Sequence, residues 1–404
     1  MGRRAGIALA LVGLGALAPA APAPAADPAR TPVVLVAFDE FPVTSLQDRR
    51  GGLDARRFPG FAAFARTSTW FADTTTVADG TRWAVPTLLG GRLPDRRRLP
   101  AWFDYEPNLF TLLAPTHRIH AVEPVTRLCP PRLCGNRLPG TRAQQGHRLA
   151  RLIPRAKADA EQRSALARWI RRIRPWRRGR PPLYFIHVLL PHRPWMWRPD
   201  GTRYAQPHPG IPGLHGDNLW GPDARLVDQG WKRHLLQVGY TDLLLRRLTR
   251  RLKQVGLWDR SVVALAADHG VSFLPFTSRR MATRRTIGGI APVPFFVKSP
   301  GQRGPLRYAF HVETVDVLPT VLSAAGLPAR GDLDGRSALD ASYVPAPRVR
   351  LWSTTSVTTF GPHTYSLAFV HRREARVRAR QADRFGAGPM AGAFWSNPLR
   401  PVRL

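Results

Sequence analysis

The sequence predicts an α/β fold: a large, mostly parallel sheet flanked by helices, with a small C-terminal extension. Three observations point to it. Pro32–Glu40, Pro182–His192 and Ser261–Gly270 are continuous apolar runs that each end in polar, chemistry-bearing residues. A run that is apolar at every position, rather than at alternate ones, suits a strand buried on both faces of a parallel sheet. Between these runs lie segments with apolar residues at three- and four-residue spacing, and strands alternating with such helices build a layered α/β sandwich. Ligands of open α/β sheets bind beyond the carboxyl ends of the strands. Asp39, Glu40, His192, Asp268 and His269 are therefore expected on one rim.

From the N-terminus, Met1-Gly2-Arg3-Arg4 is basic, Ala5–Ala18 is apolar but too short to span a bilayer, and Ala18–Ala26 is a run of alanines and prolines. That succession reads as a secretory signal over residues 1–26, with an uncleaved anchor as the alternative. No later stretch approaches about 20 uninterrupted apolar residues. An exported chain meets an oxidising compartment, where Cys129 and Cys134, the only two cysteines, are expected to close a disulfide. A zinc site with His117 and His120 is the alternative, although the two residues between those histidines fall short of the usual three to five.

Further along, Leu235, Leu236, Tyr240, Leu243, Leu244, Leu248 and Leu252 mark an amphipathic helix over His234–Val255, and Pro292–Lys298 reads as another strand. The Pro- and Arg-rich stretches Arg171–Pro182 and Pro194–Pro222 are expected as surface loops that shape a substrate entrance. Beyond Val344 the pattern weakens, with Arg348–Trp352 and Tyr365–Val370 as strands of a small terminal sheet and Phe385–Leu404 as an irregular tail. The organisation expected is a signal at 1–26, a catalytic domain at 31–340 and a C-terminal subdomain with its tail at 341–404.

The formal net charge of +34 suits an anionic partner such as a cell-wall polymer or anionic lipid, with peripheral association with a membrane. A blander cause competes: only four of the 61 basic residues are lysine, and the arginines are scattered, as codon bias would leave them. No helix-turn-helix, RRM or zinc-finger pattern is present, so nucleic acid is not expected as a partner.

Asp39 and Asp268-His269, brought to one rim, offer two carboxylates and an imidazole, a donor set suited to a divalent cation. Thr81 follows Gly80 and opens a short helix that closes on Gly90-Gly91, so its hydroxyl sits where backbone N–H groups and the helix dipole favour an anion. A threonine hydroxyl beside a divalent ion loses its proton more readily and becomes a nucleophile.

Strand-Asp39, the Thr81 segment ending Leu88-Leu89-Gly90-Gly91-Arg92-Leu93-Pro94, Pro191-His192-Arg193-Pro194, Ala267-Asp268-His269-Gly270, Val293–Gly301, Val315–Thr320 and Leu333–Ser337 occur in the order found in sulfatase-like members of the alkaline phosphatase superfamily. Over roughly residues 31–340 the chain resembles that family. The resemblance implies an alkaline-phosphatase-like sandwich and a single divalent metal (Mn, Mg, Ca or Zn) held by Asp39, Thr81, Asp268 and His269. It also implies Thr81 as nucleophile, with His192 touching the transferred group or protonating the leaving oxygen. Glu40 stands where a second aspartate is common, as a ligand or as a wall of the site. Arg82, Arg284 and Arg285 are the cations expected to steady the transferred oxygens. A second metal is not expected, because Val188 stands where an aspartate would precede His192; His363 is a late candidate for it. His187 and His311 are expected to be structural, and Tyr240 and Asp242 to pack or cap locally.

The sulfatase nucleophile segment reads C/S-x-P-x-R, whereas here Trp83 replaces the proline and Val85 the arginine, and Thr81 cannot become formylglycine. The resemblance then points to the threonine-nucleophile branch, which includes phosphoethanolamine transferases and the lipoteichoic acid synthase type. The expectation is an exported hydrolase or phosphotransferase acting on anionic phosphoric esters through a phospho-threonine. The alternatives are a sulfuric-ester hydrolase and a non-catalytic envelope-binding protein.

Overall fold

The computed structural model describes residues 27–135, 137–158, 165–204, 210–216, 218–328, 330–353, 361–386, 389–390 and 393–397. The expected signal segment at 1–26 lies outside them. Strands β1 (Val33–Asp39), β2 (Thr69–Thr75), β3 (Arg118–Val122) and β4 (Pro182–Pro191) are followed by a two-residue pair, β5 (Leu214–His215) and β6 (Leu219–Trp220). Then come β7 (Val262–Ala267), β8 (Phe295–Lys298), β9 (Leu306–Glu313), β10 (Arg348–Trp352) and β11 (Pro362–Ser366).

Seven of these form one sheet in the order β3-β4-β1-β7-β8-β2-β9. All neighbours run parallel except β8, which is antiparallel to both β7 and β2. The fold class is the one expected from the sequence. β1 lies between β4 and β7, with Val33 opposite Leu183 on one side and Val262 on the other. Successive side chains of β1 alternate between two cores, as a pleated strand requires. Val34, Val36 and Phe38 pack beneath the long helix Ala224–Gln254, and Val33, Leu35 and Ala37 beneath Leu88, Leu109 and Leu318. Each such buried valine, leucine or phenylalanine side chain stabilises the fold by about 1.5–3 kcal/mol. The same register brings Asp39 level with Pro191, at the end of β4, and places Asp268 just after the residue opposite Phe38.

Two expectations need correction. The long helix begins ten residues earlier than its leucine pattern suggests, at Ala224, where the Asp223 carboxylate accepts from the Arg225 N–H at 2.8 Å. Its early turns bury Asp228, Lys232 and Arg233, which hide the apolar stripe from a sequence reading. In the C-terminal stretch, β11 ends at Ser366, whose hydroxyl caps a helix over Leu367–Phe385. Val370, Glu374, Gln381 and Phe385 face inward along that helix at helical spacing, so Tyr365–Val370 is not a strand throughout. The helix lies against the turn Val43–Leu46 that follows β1 and against the long helix: Gln381 donates to the Thr44 carbonyl at 3.0 Å, and Arg380 pairs with Asp228 at 2.6 Å.

Cys129 and Cys134 form a disulfide, with Cα atoms 6.0 Å apart. His117 Nε2 donates to the Thr31 carbonyl and His120 stacks on Tyr184, so neither joins the sulfurs in a metal site. Among the described helices, none is long and apolar enough to cross a membrane.

Candidate active site

The rim beyond β1, β4 and β7 gathers Asp39, Glu40, Thr81, His192, Asp268 and His269, all buried. Asp39 is the last residue of β1. Glu40 follows in the left-handed region, φ 58°, a conformation that costs a non-glycine residue energy and is held here by its surroundings. Its N–H donates to Asp268 Oδ1 at 3.1 Å, and the Phe41 N–H donates to the His269 carbonyl at 2.8 Å. β1 and β7 are thus tied together beyond their ends, while the ligand atoms of Asp39, Glu40 and His192 stay within 4.8 Å of one another.

Thr81 is the first residue of the helix Thr81–Gly90, entered from an extended Gly80 and closed by Gly91 at φ 60°. Its Oγ1 lies 3.3 Å from His269 Nε2. His269 Nδ1 lies 2.9 Å from the Gly270 carbonyl and, bonded there, must be the protonated nitrogen, which leaves the Nε2 lone pair facing Thr81. His192 sits in a turn fastened by Gln237 of the long helix, whose amide donates to the Pro191 and His192 carbonyls at 3.1 and 2.7 Å. From there His192 Nε2 approaches Glu40 Oε1 at 3.1 Å.

Asp39 Oδ1 and Asp268 Oδ2 are buried oxygens without a hydrogen-bond partner, 4.0 and 3.5 Å from His269 Nε2. Burial and the neighbouring Asp39 carboxylate push the Asp268 carboxyl well above its usual range. Two unpaired carboxylate oxygens and an imidazole nitrogen, all within 4.8 Å of one another, form a donor set that a divalent cation satisfies. The Thr81 hydroxyl stands beside that set. Burial, reinforced by nearby Arg280, lowers His269 well below its usual value, so the ring is neutral and able to ligate.

Glu40, whose carboxylate forms a second such donor group with Asp39 and His192, is also engaged by two arginines. Its carboxylate pairs with Arg279 Nη1 and, at 3.2 Å, with Arg280 Nε. Burial raises the Glu40 carboxyl, but Arg279, His192 and Arg280 together outweigh it and hold Glu40 well below the carboxylate range. Arg279 is wholly buried and is oriented by Asn218, whose side-chain oxygen accepts from Nε at 2.7 Å. Arg280 reaches further, with Nη2 at 2.8 Å from His269 Nε2 and 3.3 Å from Thr81 Oγ1.

The cations expected from the sequence lie elsewhere. Arg82 is exposed over the Trp83 ring, Arg284 covers Phe369, and exposed Arg285 lines a separate apolar groove. Arg279 and Arg280 occupy the site instead. The signal for them was only an Arg-Arg pair a little beyond Asp268-His269, indistinguishable in so arginine-rich a chain. His363 is exposed on β11, outside the cluster. His187 is buried within β4, and His311 joins Thr75 to the Ala346 carbonyl. Asp242 accepts from the Phe61 N–H and Tyr240 stacks on Trp197.

Residues 155–327 match the sulfatase family model. Arylsulfatase K of Danio rerio is 32% identical over 97 residues, and that of Homo sapiens 31% identical over 102. These stretches cover 24% and 25% of this chain but only 18% and 19% of the relatives, so the match spans under a fifth of their length. Among solved structures, the phosphonate monoester hydrolase of Agrobacterium radiobacter aligns with a TM-score of 0.56 at 14% identity, covering 88% of this chain and 92% of that one. A 2-O GAG sulfatase aligns with a TM-score of 0.57 at 12% identity, over 85% and 87% of the two chains. Family match and fold agree: residues 155–327 are similar to the sulfatase family, and the sheet with its flanking helices shares the fold of these solved hydrolases.

Proposed function

We propose that the protein is a metal-dependent hydrolase of anionic esters, with Thr81 as nucleophile and Asp39, Asp268 and His269 as the cation site. The observation that carries this reading is the pair of unpartnered buried oxygens, Asp39 Oδ1 and Asp268 Oδ2, beside a hydroxyl at a helix N-terminus. A divalent ion bound there would neutralise the ester's anionic oxygens and lower the pKa of a nearby hydroxyl. Arg280 Nη2, 3.3 Å from Thr81 Oγ1, would donate to the non-bridging oxygens as charge gathers on them. Thr81, its proton lost to solvent, forms the bond to sulfur or phosphorus while the bond to the leaving oxygen breaks. His192, held by Glu40, gives the leaving oxygen its proton. Water then displaces the Thr81 oxygen and releases the inorganic anion.

Sulfuric esters come first as substrates, because the family match and the Arylsulfatase K relatives both favour them. Phosphoric or phosphonic esters form a second reading, favoured by Thr81 itself: an unmodified alkoxide that cannot become formylglycine suits attack on phosphorus. The solved phosphonate monoester hydrolase shares the fold. Transfer to an acceptor hydroxyl in place of water, an exported location, and envelope glycans or lipids as carriers of the ester belong to the same proposal. The test is turnover of aryl sulfate, phosphonate monoester, phosphodiester and phosphomonoester substrates with Ca, Mg, Mn or Zn, beside Thr81→Ala. Loss of turnover by a factor of 10³ or more is expected in that variant, on the scale of removing a nucleophile. Full turnover in Thr81→Ala, or none in the parent protein with any metal, refutes the proposal.

A further inference from the structure

The cation site contains a tethered cation. Nε2 of His269 has one lone pair, and Nη2 of Arg280 occupies it at 2.8 Å. The same Nη2 donates to Thr81 Oγ1 at 3.3 Å. Arg280 therefore already engages two of the groups that a metal ion would use, whereas the other two, Asp39 Oδ1 and Asp268 Oδ2, have no hydrogen-bond partner. A guanidinium placed permanently as the site's counter-ion would be expected to bond those oxygens first. Instead it is held from behind. Glu40 pairs with Arg280 Nε at 3.2 Å, Arg279 binds the far oxygen of Glu40, and the Ser278 hydroxyl accepts from the Arg280 and Met281 N–H groups at 3.3 and 3.1 Å.

We propose that Arg280 competes with the divalent ion for His269 Nε2 and Thr81 Oγ1. In the metal-free protein its outer amino group closes the site. On metal binding that group moves aside while Nε stays on Glu40, and it is then placed to meet the substrate's anionic oxygens. The inference rests on Asp39, Asp268 and His269 being the ion site. It goes beyond that reading in assigning Arg280 a cost in metal affinity, which makes loading reversible at ion concentrations that a site without Arg280 would saturate.

The test is calorimetric titration of the chelator-treated full chain with Mn²⁺ and with Ca²⁺, for the parent protein, Arg280→Met and Arg280→Gln. Both neutral variants remove one positive charge and free the His269 lone pair. They are expected to bind one ion per chain at least tenfold more tightly than the parent, with the gain abolished by adding Asp268→Asn. Binding in both variants that is no tighter than in the parent overturns the inference while leaving the metal site standing. Absence of binding in the parent and in both variants overturns the metal site as well. If Arg280→Met does not fold, Arg280→Gln, which keeps much of the side-chain volume and polarity, decides the matter by the same tenfold criterion.

Discussion

Glu40→Gln is the most exacting perturbation of the site, because it keeps shape and removes only charge. Glu40 and Arg279 are both wholly buried, and a second guanidinium and an imidazole lie 3.2 and 3.1 Å from the Glu40 carboxylate. At an effective dielectric of about 20, one such pair at about 4 Å is worth roughly 4 kcal/mol of Coulomb energy, before desolvation is counted. Removing one partner of a buried pair typically costs about 3–5 kcal/mol, since the other charge remains out of water. Asp39 and Asp268 still face Arg280, so the lower end, about 3 kcal/mol, is expected. The assay is urea unfolding of the metal-free protein at pH 7, parent against variant. Adding Arg279→Met should recover at least half of the loss, because it removes the stranded charge, and the double-mutant cycle isolates the pair. A loss below about 1 kcal/mol, or a double variant weaker than the sum of the singles, refutes the assignment of Glu40 to the arginines. The pH dependence has a definite sign. A carboxyl depressed in the fold contributes stability that is present above its unfolded pKa, about 4.3, and lost as pH falls through the folded value. Glu40→Gln should therefore flatten the acid limb of the stability profile below about pH 4.

Three further outcomes follow from other parts of the molecule. Burial lowers both His187 and His234 to about 3, so the fold holds them neutral and loses stability as pH falls from about 6.5 towards 3; His187→Leu should reduce that slope in acid unfolding without lowering stability at pH 7. A Cβ on Gly288 would lie 2.4 Å from the Arg373 carbonyl carbon, so Gly288→Ala should cost about 1–3 kcal/mol and speed tryptic cleavage within Leu367–Phe385. The Cys129–Cys134 disulfide closes a short loop, and replacing both cysteines by serine should cost about 2 kcal/mol on loop entropy, read as a shift of the urea midpoint against a reduced control.

How far the site was legible from the sequence depended on which residues a strand end or helix start fixes. Asp39, His192, Asp268 and His269 each follow an apolar run, interrupted only by His187 in β4, so sheet geometry places them without knowledge of any side-chain contact. Thr81 was marked by glycines on both sides of a ten-residue helix. Arg279 and Arg280 carry no comparable mark. They lie in a loop whose course depends on Asn218 and Ser278, and nothing in local periodicity distinguishes them from Arg284 and Arg285. The long helix was found by its leucines and its start was missed, because the first turns bury charged groups. Tertiary packing overrode the amphipathic pattern there, as at Glu374 and Gln381 in the C-terminal helix.

The two acids at the end of β1 show how one backbone residue divides the site's work. Asp39 ends the strand with its side chain towards His269 and Asp268, whereas Glu40, at φ 58°, sends its longer side chain to Arg279, Arg280 and His192. Glu40→Asp shortens that reach by one methylene. The carboxylate then cannot keep Arg279 and Arg280 together, and the loop that carries Arg279 cannot follow, because Arg279 is fixed by Asn218 and Ser272. Arg280 is the partner left to shift. The expected result is a protein that still binds the ion through Asp39, Asp268 and His269 but turns over substrate at least tenfold more slowly, with KM raised as Arg280 loses its anchor. If Glu40→Asp instead binds metal at least tenfold more tightly and leaves KM unchanged, residue 40 is a ligand, and the division between the two acids fails.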